Sequence, residues 1–157
     1  MIKAIFACDE DWGIGKDNAI PWNDRIDQKW FKESTLGKVV VMGRNTYESL
    51  TSPLSLRDNV VISNSLESIP RGFLYSGDID TAMTQIIERF GSRDIFVIGG
   101  SQLFEGVLSH VDEVLINRIS GTYDCDVFLN QATVNSNFSS ASIDSPEGLN
   151  LERYVRN

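Results

Sequence analysis

The fold class follows first from the stretch Lys38-Val39-Val40-Val41-Met42-Gly43-Arg44-Asn45-Thr46. Its first half, residues 38–42, is dense in β-branched side chains, which is typical of a strand. Gly43 then supplies a turn, and a short helix is predicted over residues 45–50. A strand, a glycine turn and a helix start in immediate succession are the basic unit of an α/β fold.

The same alternation of strand-like and helix-like segments continues outward in both directions. Antiparallel pairing is indicated at the C-terminal end, where two alternating segments follow one another. We therefore expect an α/β fold, with a mostly parallel sheet, helices on both faces and a single domain over residues 1–157. The predicted strands are 2–8, 38–42, 59–63, 72–75, 94–98, 112–119, 137–143 and 149–155, and the predicted helices are 25–35, 45–50, 78–90 and 102–108.

Composition excludes several classes of function. The chain has 157 residues, 41% of them hydrophobic and 23% charged, which is ordinary for a globular protein. Its 14 basic and 22 acidic residues give a net charge of −8, which argues against nucleic acid or an anionic membrane as a partner. No apolar run approaches the roughly 18 residues of a membrane span, and no signal-peptide pattern is present, so we expect a cytoplasmic protein.

Cysteine and histidine offer little for catalysis. Cys8 and Cys125 fit no metal-ligand spacing and are interpreted as free thiols in a reducing compartment. The one histidine, His110, lies where a helix end runs into a strand, and we expect an exposed loop residue. We predict no metal site. Catalysis would have to come from a carboxylate, a cofactor or both.

The segment Asn18-Ala19-Ile20-Pro21-Trp22-Asn23 precedes a carboxylate in an apolar setting. If a helix begins near Arg25, Asp27 shares one face with Trp30 and Phe31, because residues three and four apart are neighbours. A carboxylate on such a face needs hydrogen bonds or a ligand. The alternative is that Asn23 or Asp24 caps the helix and Asp27 supports the cap from the first turn.

Two glycine turns have a pattern suited to phosphate. In residues 39–46 and again in 96–102, a strand leads through glycine into a helix start, which directs backbone N–H groups at one point. Two such turns in a small α/β chain indicate a nucleotide that spans adjacent strand ends. Gly13-Ile14-Gly15 is not a dinucleotide fingerprint, because Asn18 occupies the third glycine position and no helix follows directly.

These motifs together resemble the dihydrofolate reductase family, nearly from end to end. The resemblance rests on Ile14-Gly15, the 18–23 segment with Asp27, Trp30-Phe31, Met42-Gly43-Arg44 with Thr46, and Ile98-Gly99-Gly100. The resemblance is weaker over residues 66–93 and over the last thirty residues. It implies an eight-stranded, mostly parallel (mixed) sheet flanked by about four helices. It also implies hydride transfer from NADPH to C6 of 7,8-dihydrofolate with protonation at N5, giving tetrahydrofolate for one-carbon and thymidylate metabolism.

The resemblance also assigns residues to the substrate. Asp27 would be the ionisable group at the pterin and, with water near Trp22, would favour protonation of N5. Arg57 would pair with the α-carboxylate of the glutamate tail, helped by Lys32. The implied catalytic residues are Asp27 and Trp22, and the implied substrate-binding residues are Ile5, Ala7, Asp27, Gln28, Phe31, Lys32, Leu50, Leu54, Arg57, Ile98 and Asn117.

For the cofactor, the resemblance implies a 2′-phosphate site around Arg44 and a pyrophosphate cradle at Gly99 and Gly100, joined by a cis peptide bond. The 9–23 loop would close over the nicotinamide. The implied cofactor-binding residues are Ala7, Ile14, Gly15, Ile20, Gly43, Arg44, Asn45, Thr46, Ile62, Ser63, Asn64, Gly99, Gly100, Ser101, Gln102, Leu103 and Phe104. Antifolate binding and a monomeric state are further expectations.

Four positions depart from the family pattern. Asn117 replaces a threonine beside the catalytic carboxylate, Gln102 replaces a basic residue near the 2′-phosphate, and Gln28 replaces an apolar residue. Ser55-Leu56 replaces Pro-Gly ahead of Arg57. Two other functions stay open: a binding protein that keeps the fold without turnover, and the related reductase of riboflavin synthesis, which lacks the Pro-Trp…Asp constellation.

Overall fold

The protein is described by a computed structural model that covers residues 1–157. The strands are β1 (Ile2–Cys8), β2 (Gly13–Gly15), β3 (Val39–Gly43), β4 (Asp58–Ile62), β5 (Phe73–Tyr75), β6 (Ile95–Gly99), β7 (Glu113–Arg118), β8 (Val127–Phe128), β9 (Phe138–Ala141) and β10 (Leu151–Arg156). The α-helices are α1 (Arg25–Thr35), α2 (Arg44–Ser49), α3 (Ile79–Phe90), α4 (Ser101–Gly106) and α5 (Gln131–Asn137), with a 3₁₀ turn at Leu108–His110.

Eight strands form one mixed sheet in the order β5-β4-β3-β6-β1-β7-β10-β9. The six strands from β5 to β7 are parallel to one another, and β10 pairs antiparallel with both β7 and β9. The predicted α/β fold with an eight-stranded, mostly parallel sheet is therefore confirmed. All eight predicted strands are present, with ends that differ by a few residues.

The run at β3 is apolar because both faces of the sheet are covered. Val39 and Val41 belong to the larger core cluster, whereas Val40 and Met42 belong to a second cluster on the other face. All four side chains are fully buried. Alternate side chains of a strand point to opposite faces, so a doubly covered strand reads as a continuous hydrophobic run.

The chain also forms elements that the pattern did not predict. The 9–23 loop contains β2, which pairs with β8 in a separate two-stranded sheet. A fifth α-helix, α5, is capped by Asn130, whose Oδ1 accepts a hydrogen bond from the backbone N–H of Thr133 at 3.2 Å. Val134 is its one buried residue, so α5 has no apolar stripe from which it could be predicted. No helix is long and apolar enough to cross a membrane.

The two cysteines and the histidine take ordinary structural places. Cys8 is buried and Cys125 partly buried, and both are free thiols, as expected. Burial raises the pKa of the Cys8 thiol to about 12, so this thiol stays protonated. His110 lies in the 3₁₀ turn rather than in an exposed loop, and its Nε2 is 3.0 Å from Asp80 Oδ1.

Candidate functional site

A cleft of about 930 Å³ opens along the carboxyl ends of β1, β3, β4 and β6. This is the edge at which open α/β sheets bind ligands, and the volume lies in the usual range for a small-molecule site. Most of the predicted site residues line it. They are Ile5, Ala7, Ile14, Gly15, Ile20, Asp27, Gln28, Phe31, Gly43, Arg44, Asn45, Thr46, Leu50, Leu54, Ile62, Ser63, Asn64, Ile98, Gly99, Gly100, Ser101, Gln102 and Leu103.

A local irregularity in β6 shapes the cleft wall. Val41 pairs with Val97, but the next residue, Met42, pairs with Gly99, so Ile98 has no partner on β3. An extra residue of this kind bends a strand and redirects its side chains. Ile98 lies on the cleft wall as a result, and the Gly99–Gly100 peptide bond that follows is cis, as the resemblance implied.

Capping of α1 and the role of Asp27 are separate. Asp24 is the N-cap, and its Oδ1 accepts hydrogen bonds from the backbone N–H groups of Ile26 and Asp27, both at 3.0 Å. The Asp27 carboxylate takes no part in the cap. It is 6% exposed and turns toward β7, where Asn117 Nδ2 donates a hydrogen bond to its Oδ1 at 3.0 Å.

The orientation of the Asn117 amide is fixed by its second contact. The backbone N–H of Asn150 donates a hydrogen bond to Asn117 Oδ1 at 2.9 Å. Because a backbone N–H can only donate, the oxygen must face Asn150 and the NH₂ group must face Asp27. Asn117 is 2% exposed. Asn117 therefore supplies a hydrogen-bond donor to the buried carboxylate.

Trp22 also lies near the Asp27 carboxylate. Its ring packs edge-on against Tyr123, with centroids 5.4 Å apart, and it is buried. The indole Nε1–H has no hydrogen-bond partner within the protein. Buried donors are normally paired, with protein or with water. An unpaired donor beside a buried carboxylate is suited to holding a water molecule or a polar ligand atom.

The pKa of Asp27 is raised above its ordinary value of 3.8. Burial is the main cause, because it disfavours the charged form, and the nearby negative charge of Asp24 adds to it. The Asn117 hydrogen bond and the indole N–H of Trp22 oppose the shift. The group is a carboxylate whose proton affinity exceeds that of a surface aspartate.

The two glycine turns meet at one point of the cleft. A Cβ atom built on Gly99 would lie 3.0 Å from Thr46 Oγ1, and one on Gly43 would lie 3.9 Å from the Gly99 carbonyl oxygen. Gly99 also has φ +137°, which L side chains rarely adopt. A hydroxyl and bare backbone thus face the same space, as a cradle for a diphosphate requires.

Arg44 and three polar side chains form the neighbouring part of the cleft. Arg44 Nη1 donates a hydrogen bond to Ser65 Oγ at 2.9 Å, and the Ser63 and Ser65 hydroxyl oxygens are 3.2 Å apart. Arg44 Nε donates to Glu48 one turn later on α2. Apart from Asp27, Arg44 and Glu48 are the ionisable residues that line the cleft.

Arg57 is anchored beside the opposite part of the cleft. Its Nε donates a hydrogen bond to the Ser55 carbonyl oxygen at 2.9 Å, and its Nη1 donates to Thr35 Oγ1 at 3.0 Å. Asn59 fixes the preceding loop, because its amide exchanges hydrogen bonds with the backbone N–H and carbonyl of Leu54 at 2.9 and 2.8 Å. The loop that contains Leu54 and Arg57 is therefore held in place by a side chain of β4.

Five predicted site residues do not line the cleft. Trp22 and Asn117 are close to the Asp27 carboxylate but outside the cleft lining. Lys32 and Arg57 are also outside it. Phe104 is fully buried in the core, where its ring packs edge-on against Phe6 at 5.6 Å. The resemblance implied a cofactor-binding residue here, whereas the Phe104 side chain belongs to the main core cluster and is absent from the cleft lining.

Sequence analysis missed several lining or supporting residues. Glu48 is four residues after Arg44, and this spacing alone could have indicated a pair on one helix face. Ser65, Ile79 and Val127 also line the cleft, and Asn59 supports it from the core. No short-range pattern indicates Ile79 or Val127, which reach the cleft through tertiary packing. Asn59 acts on Leu54 and Arg57, which are nearby in the chain.

The loop over the cleft is attached at its base by Asp9. The Asp9 carboxylate accepts hydrogen bonds from the backbone N–H groups of Asp11 and Gly13 at 2.9 and 2.8 Å. It also accepts one from the backbone N–H of Tyr123 at 3.1 Å. The Cys125 thiol is a fourth donor, with Sγ 3.5 Å from Asp9 Oδ2. Burial works to raise the pKa of Asp9, but these donors outweigh it and lower that pKa.

Comparison with known proteins agrees with this geometry. The family model described as dihydrofolate reductase matches residues 1–150. Dihydrofolate reductase of Haemophilus influenzae is 36% identical over 118 residues, which is 75% of this chain and 71% of that protein. Dihydrofolate reductase of Bacillus subtilis is 33% identical over 126 residues, 80% of this chain and 73% of that protein.

A solved structure gives the same result. The dihydrofolate reductase of Enterococcus faecalis, complexed with NADP(H) and RAB-propyl, superposes with a TM-score of 0.82 at 26% identity, covering 100% of this chain and 96% of that one. This chain therefore belongs to the dihydrofolate reductase family. Its activity is the NADPH-dependent reduction of dihydrofolate.

The substitution Asp27→Asn tests the burial of this carboxylate. The pKa of Asp27 in the folded protein is raised above 3.8, its ordinary value in the unfolded chain. Ionised Asp27 therefore lowers the free energy of unfolding at a pH above the folded pKa. This loss disappears as the pH falls through the folded pKa toward 3.8. The variant should therefore melt at a higher temperature than the parent protein at pH 7, and the difference should shrink toward pH 4. Thermal unfolding followed by circular dichroism from pH 4 to 8 measures it.

Asp24→Asn is the matched control, because asparagine caps a helix about as well as aspartate. It should change the melting temperature much less. If Asp27 instead supported the cap, Asp27→Asn would lower the melting temperature at every pH.

Proposed function

We propose that Asp27 is the residue that promotes protonation of the substrate at N5. The observation that carries this proposal is a buried carboxylate that lines the cleft with a raised pKa and a locked donor behind it. In an apolar setting, the negative charge acts strongly on a pterin ring that becomes cationic. The unpaired Trp22 Nε1–H can hold a water molecule at the same place, through which a proton can reach N5.

The apolar wall orients the reacting rings. Ile5, Phe31, Leu50, Leu54 and Ile98 line the cleft near Asp27 and exclude water from it. When bound, NADPH supplies the hydride that C6 of 7,8-dihydrofolate receives. These apolar side chains would hold the two rings against each other, which is the positioning that such a transfer needs.

The residues present fit the cofactor. The Gly99–Gly100 backbone faces Thr46 Oγ1 across a gap that a side chain would fill, so a pyrophosphate can approach the main chain closely. Arg44, Ser63 and Asn64 lie beside the cradle and would hold the adenosine 2′-phosphate. Ala7, Ile14 and Ile20 would contact the nicotinamide, with Ile20 carried on the loop attached through Asp9.

Arg57 would hold the glutamate α-carboxylate of the substrate. Its Nε and Nη1 are bound to Ser55 and Thr35, which fixes the plane of the guanidinium and leaves Nη2 without a protein partner. Asn59 fixes the position of the loop through its two hydrogen bonds to the Leu54 backbone. Gln28 and Lys32, on α1, would flank the benzoyl-glutamate.

Four further properties belong to this proposal. Residues 1–157 act as one catalytic domain, because a single sheet order joins the first strand to the last. The protein is expected to work as a monomer, since the cleft already contains the groups for both ligands within one chain. Two free thiols suit the reducing cytoplasm. Antifolates that present a protonated ring would pair with the Asp27 carboxylate.

The first kinetic test is Asp27→Asn. The parent protein, mixed with NADPH and 7,8-dihydrofolate, should consume NADPH, seen as a loss of absorbance in the nicotinamide band. The variant should bind NADPH but transfer hydride about 10²–10⁴-fold more slowly at pH 7, the usual contribution of a general acid–base group. Its rate should recover partly toward pH 5, since solution acid then protonates N5. A rate near that of the parent from pH 5 to 8 would remove Asp27 from the mechanism.

The second test is Arg57→Leu. A remote carboxylate clamp acts about equally on the ground state and the transition state, so its loss raises KM with little effect on kcat. We expect KM for dihydrofolate to rise about ten- to a hundredfold, as for one charged hydrogen bond. Lys32→Gln should give a smaller rise. If Lys32→Gln raised KM and Arg57→Leu did not, the glutamate tail would lie on Lys32 instead.

The third test is Arg44→Leu. One guanidinium faces the 2′-phosphate, and a hydrogen bond to a charged group contributes about 1.5–3 kcal/mol. The variant should therefore lose most of its preference for NADPH over NADH, measured as the ratio of kcat/KM for the two nucleotides. An unchanged ratio would show that the 2′-phosphate lies away from Arg44.

A further inference from the structure

Arg118 joins the base of the 9–23 loop to the antiparallel end of the sheet. It is the last residue of β7, and its Nη1 donates a hydrogen bond to the carbonyl oxygen of Asp9 at 3.0 Å. Its guanidinium carbon also lies 4.4 Å from the centroid of the Trp12 ring, which is a cation–π contact. One side chain on β7 therefore contacts the loop at two points.

A carboxylate on the neighbouring strand β10 fixes the plane of this guanidinium. Arg118 Nε donates to Glu152 Oε2 at 3.0 Å and Nη2 donates to Glu152 Oε1 at 2.9 Å, the two-pronged geometry that arginine forms with carboxylates. The Tyr154 hydroxyl donates to Glu152 Oε1 at 2.7 Å. The Arg118 hydrogen bonds are the main cause of the lowered pKa of Glu152, so the pair stays charged at neutral pH. The Arg118 side chain is only 13% exposed, so salt screens the pair weakly.

The turn that Arg118 contacts has a strained backbone. Trp12 has φ +65°, in the left-handed region that bulky side chains rarely adopt. The Asp9 carbonyl oxygen accepts a hydrogen bond from the Trp12 N–H at 3.1 Å as well as the one from Arg118. A conformation of this kind persists only where the surroundings enforce it. Arg118 contacts both the first residue of the turn and its strained residue, so it is suited to enforce this conformation.

The same turn sets the direction in which the chain enters the cleft. Ile14 and Gly15 follow Trp12 almost at once and line the cleft, and Ile20 lines it further along the loop. Arg118 itself does not line the cleft. Any effect of Arg118 on the reaction must therefore pass through the loop.

We propose that Arg118 is a positioning residue for hydride transfer. By holding Asp9 and Trp12 against the sheet, it fixes the path of the 9–23 loop and thereby the place of the nicotinamide against 7,8-dihydrofolate. This proposal rests on the proposed function, in which Ile14 and Ile20 contact the nicotinamide.

Arg118→Met is the first test, because methionine keeps an apolar stem but has no donor for the Asp9 carbonyl. We expect hydride transfer to slow about ten- to a hundredfold, since a displacement of about 1 Å can lower a rate by about 10². Stopped-flow mixing of the NADPH complex with dihydrofolate measures this step, and NADPH deuterated at the transferred hydrogen identifies it. The pH dependence of the step should keep the shape found for the parent protein, because Asp27 is unchanged.

A double variant keeps the test independent of folding. Arg118→Met alone leaves the Glu152 carboxylate without its charged partner, which destabilises a fold. Arg118→Met/Glu152→Gln removes that charge, so it should melt at a higher temperature than Arg118→Met and still transfer hydride slowly. Glu152→Gln alone keeps the arginine and its contacts with the loop, and should react at close to the parent rate. A parent rate in the double variant would overturn the proposal.

Nucleotide binding separates positioning from a general loss of structure. Isothermal titration with 2′,5′-ADP reports on the adenosine end of the cleft alone, whereas titration with NADPH also reports on the nicotinamide. Arg118→Met should weaken NADPH about three- to tenfold, as for the loss of one hydrogen bond, and leave 2′,5′-ADP unchanged. Equal weakening of both ligands would mean that the whole fold has loosened, and the proposal would be wrong.

Arg153→Met is the matched control. Arg153 on β10 donates from Nε to Glu113 Oε2 on β7 at 3.1 Å, so it forms the same kind of pair between the same two strands. Neither residue lines the cleft. The control should keep the parent's hydride-transfer rate and NADPH affinity. A slowing comparable to that of Arg118→Met would assign the effect to the sheet and contradict the proposal.

Ile20→Ala separates the proposal from the function on which it rests. If the loop covers the nicotinamide, this variant should weaken NADPH relative to 2′,5′-ADP. If it does so and Arg118→Met does not, the loop is correctly placed but Arg118 does not position it. If neither variant changes NADPH binding relative to the fragment, the placement of the nicotinamide fails, and the proposal fails with it.

Discussion

Burial of the Asp27 carboxylate is the constraint to which the rest of the site is adapted. A buried charge must be hydrogen-bonded or the fold is strongly destabilised. The partner here is Asn117, whose amide is turned toward Asp27 by the backbone of Asn150. The Asp27 carboxylate on α1 is thus connected to β7 and to Asn150, the residue before β10. The antiparallel end of the sheet, which is far from Asp27 in the sequence, therefore helps to hold this carboxylate in place.

The parallel part of the sheet brings the other groups together. Strands β1, β3, β4 and β6 end at one edge, so residues 7, 43, 63 and 99 become neighbours although they are scattered along the chain. The extra residue in β6 opens that edge further and turns Ile98 to the wall. The part of the cleft near Asp27 and the part near Arg44 are consequently two regions of one continuous cleft.

Much of this arrangement could be predicted from the sequence. Buried strands such as β3 show as unbroken apolar runs, and glycine turns show as strand-to-helix junctions, so the sheet and the cradle were predictable. Asp27 could be distinguished from a cap only with the structure, because Asp24 and Asp27 both suit a first helical turn. Ile79 and Val127 reach the cleft through contacts far apart in the chain. Helix α5 and the β2–β8 pair have too few buried side chains to leave a periodic signal.

The Asp9 carboxylate has a consequence for how the loops move. Its donors come from two separate segments, residues 11–13 and 123–125. If either segment detaches, the anion keeps its burial but loses part of the hydrogen bonding that offsets it, so the second segment is held less firmly as well. The two segments should then open as one cooperative unit. In amide hydrogen exchange, their protected N–H groups would share a common opening free energy, below that of the central strands.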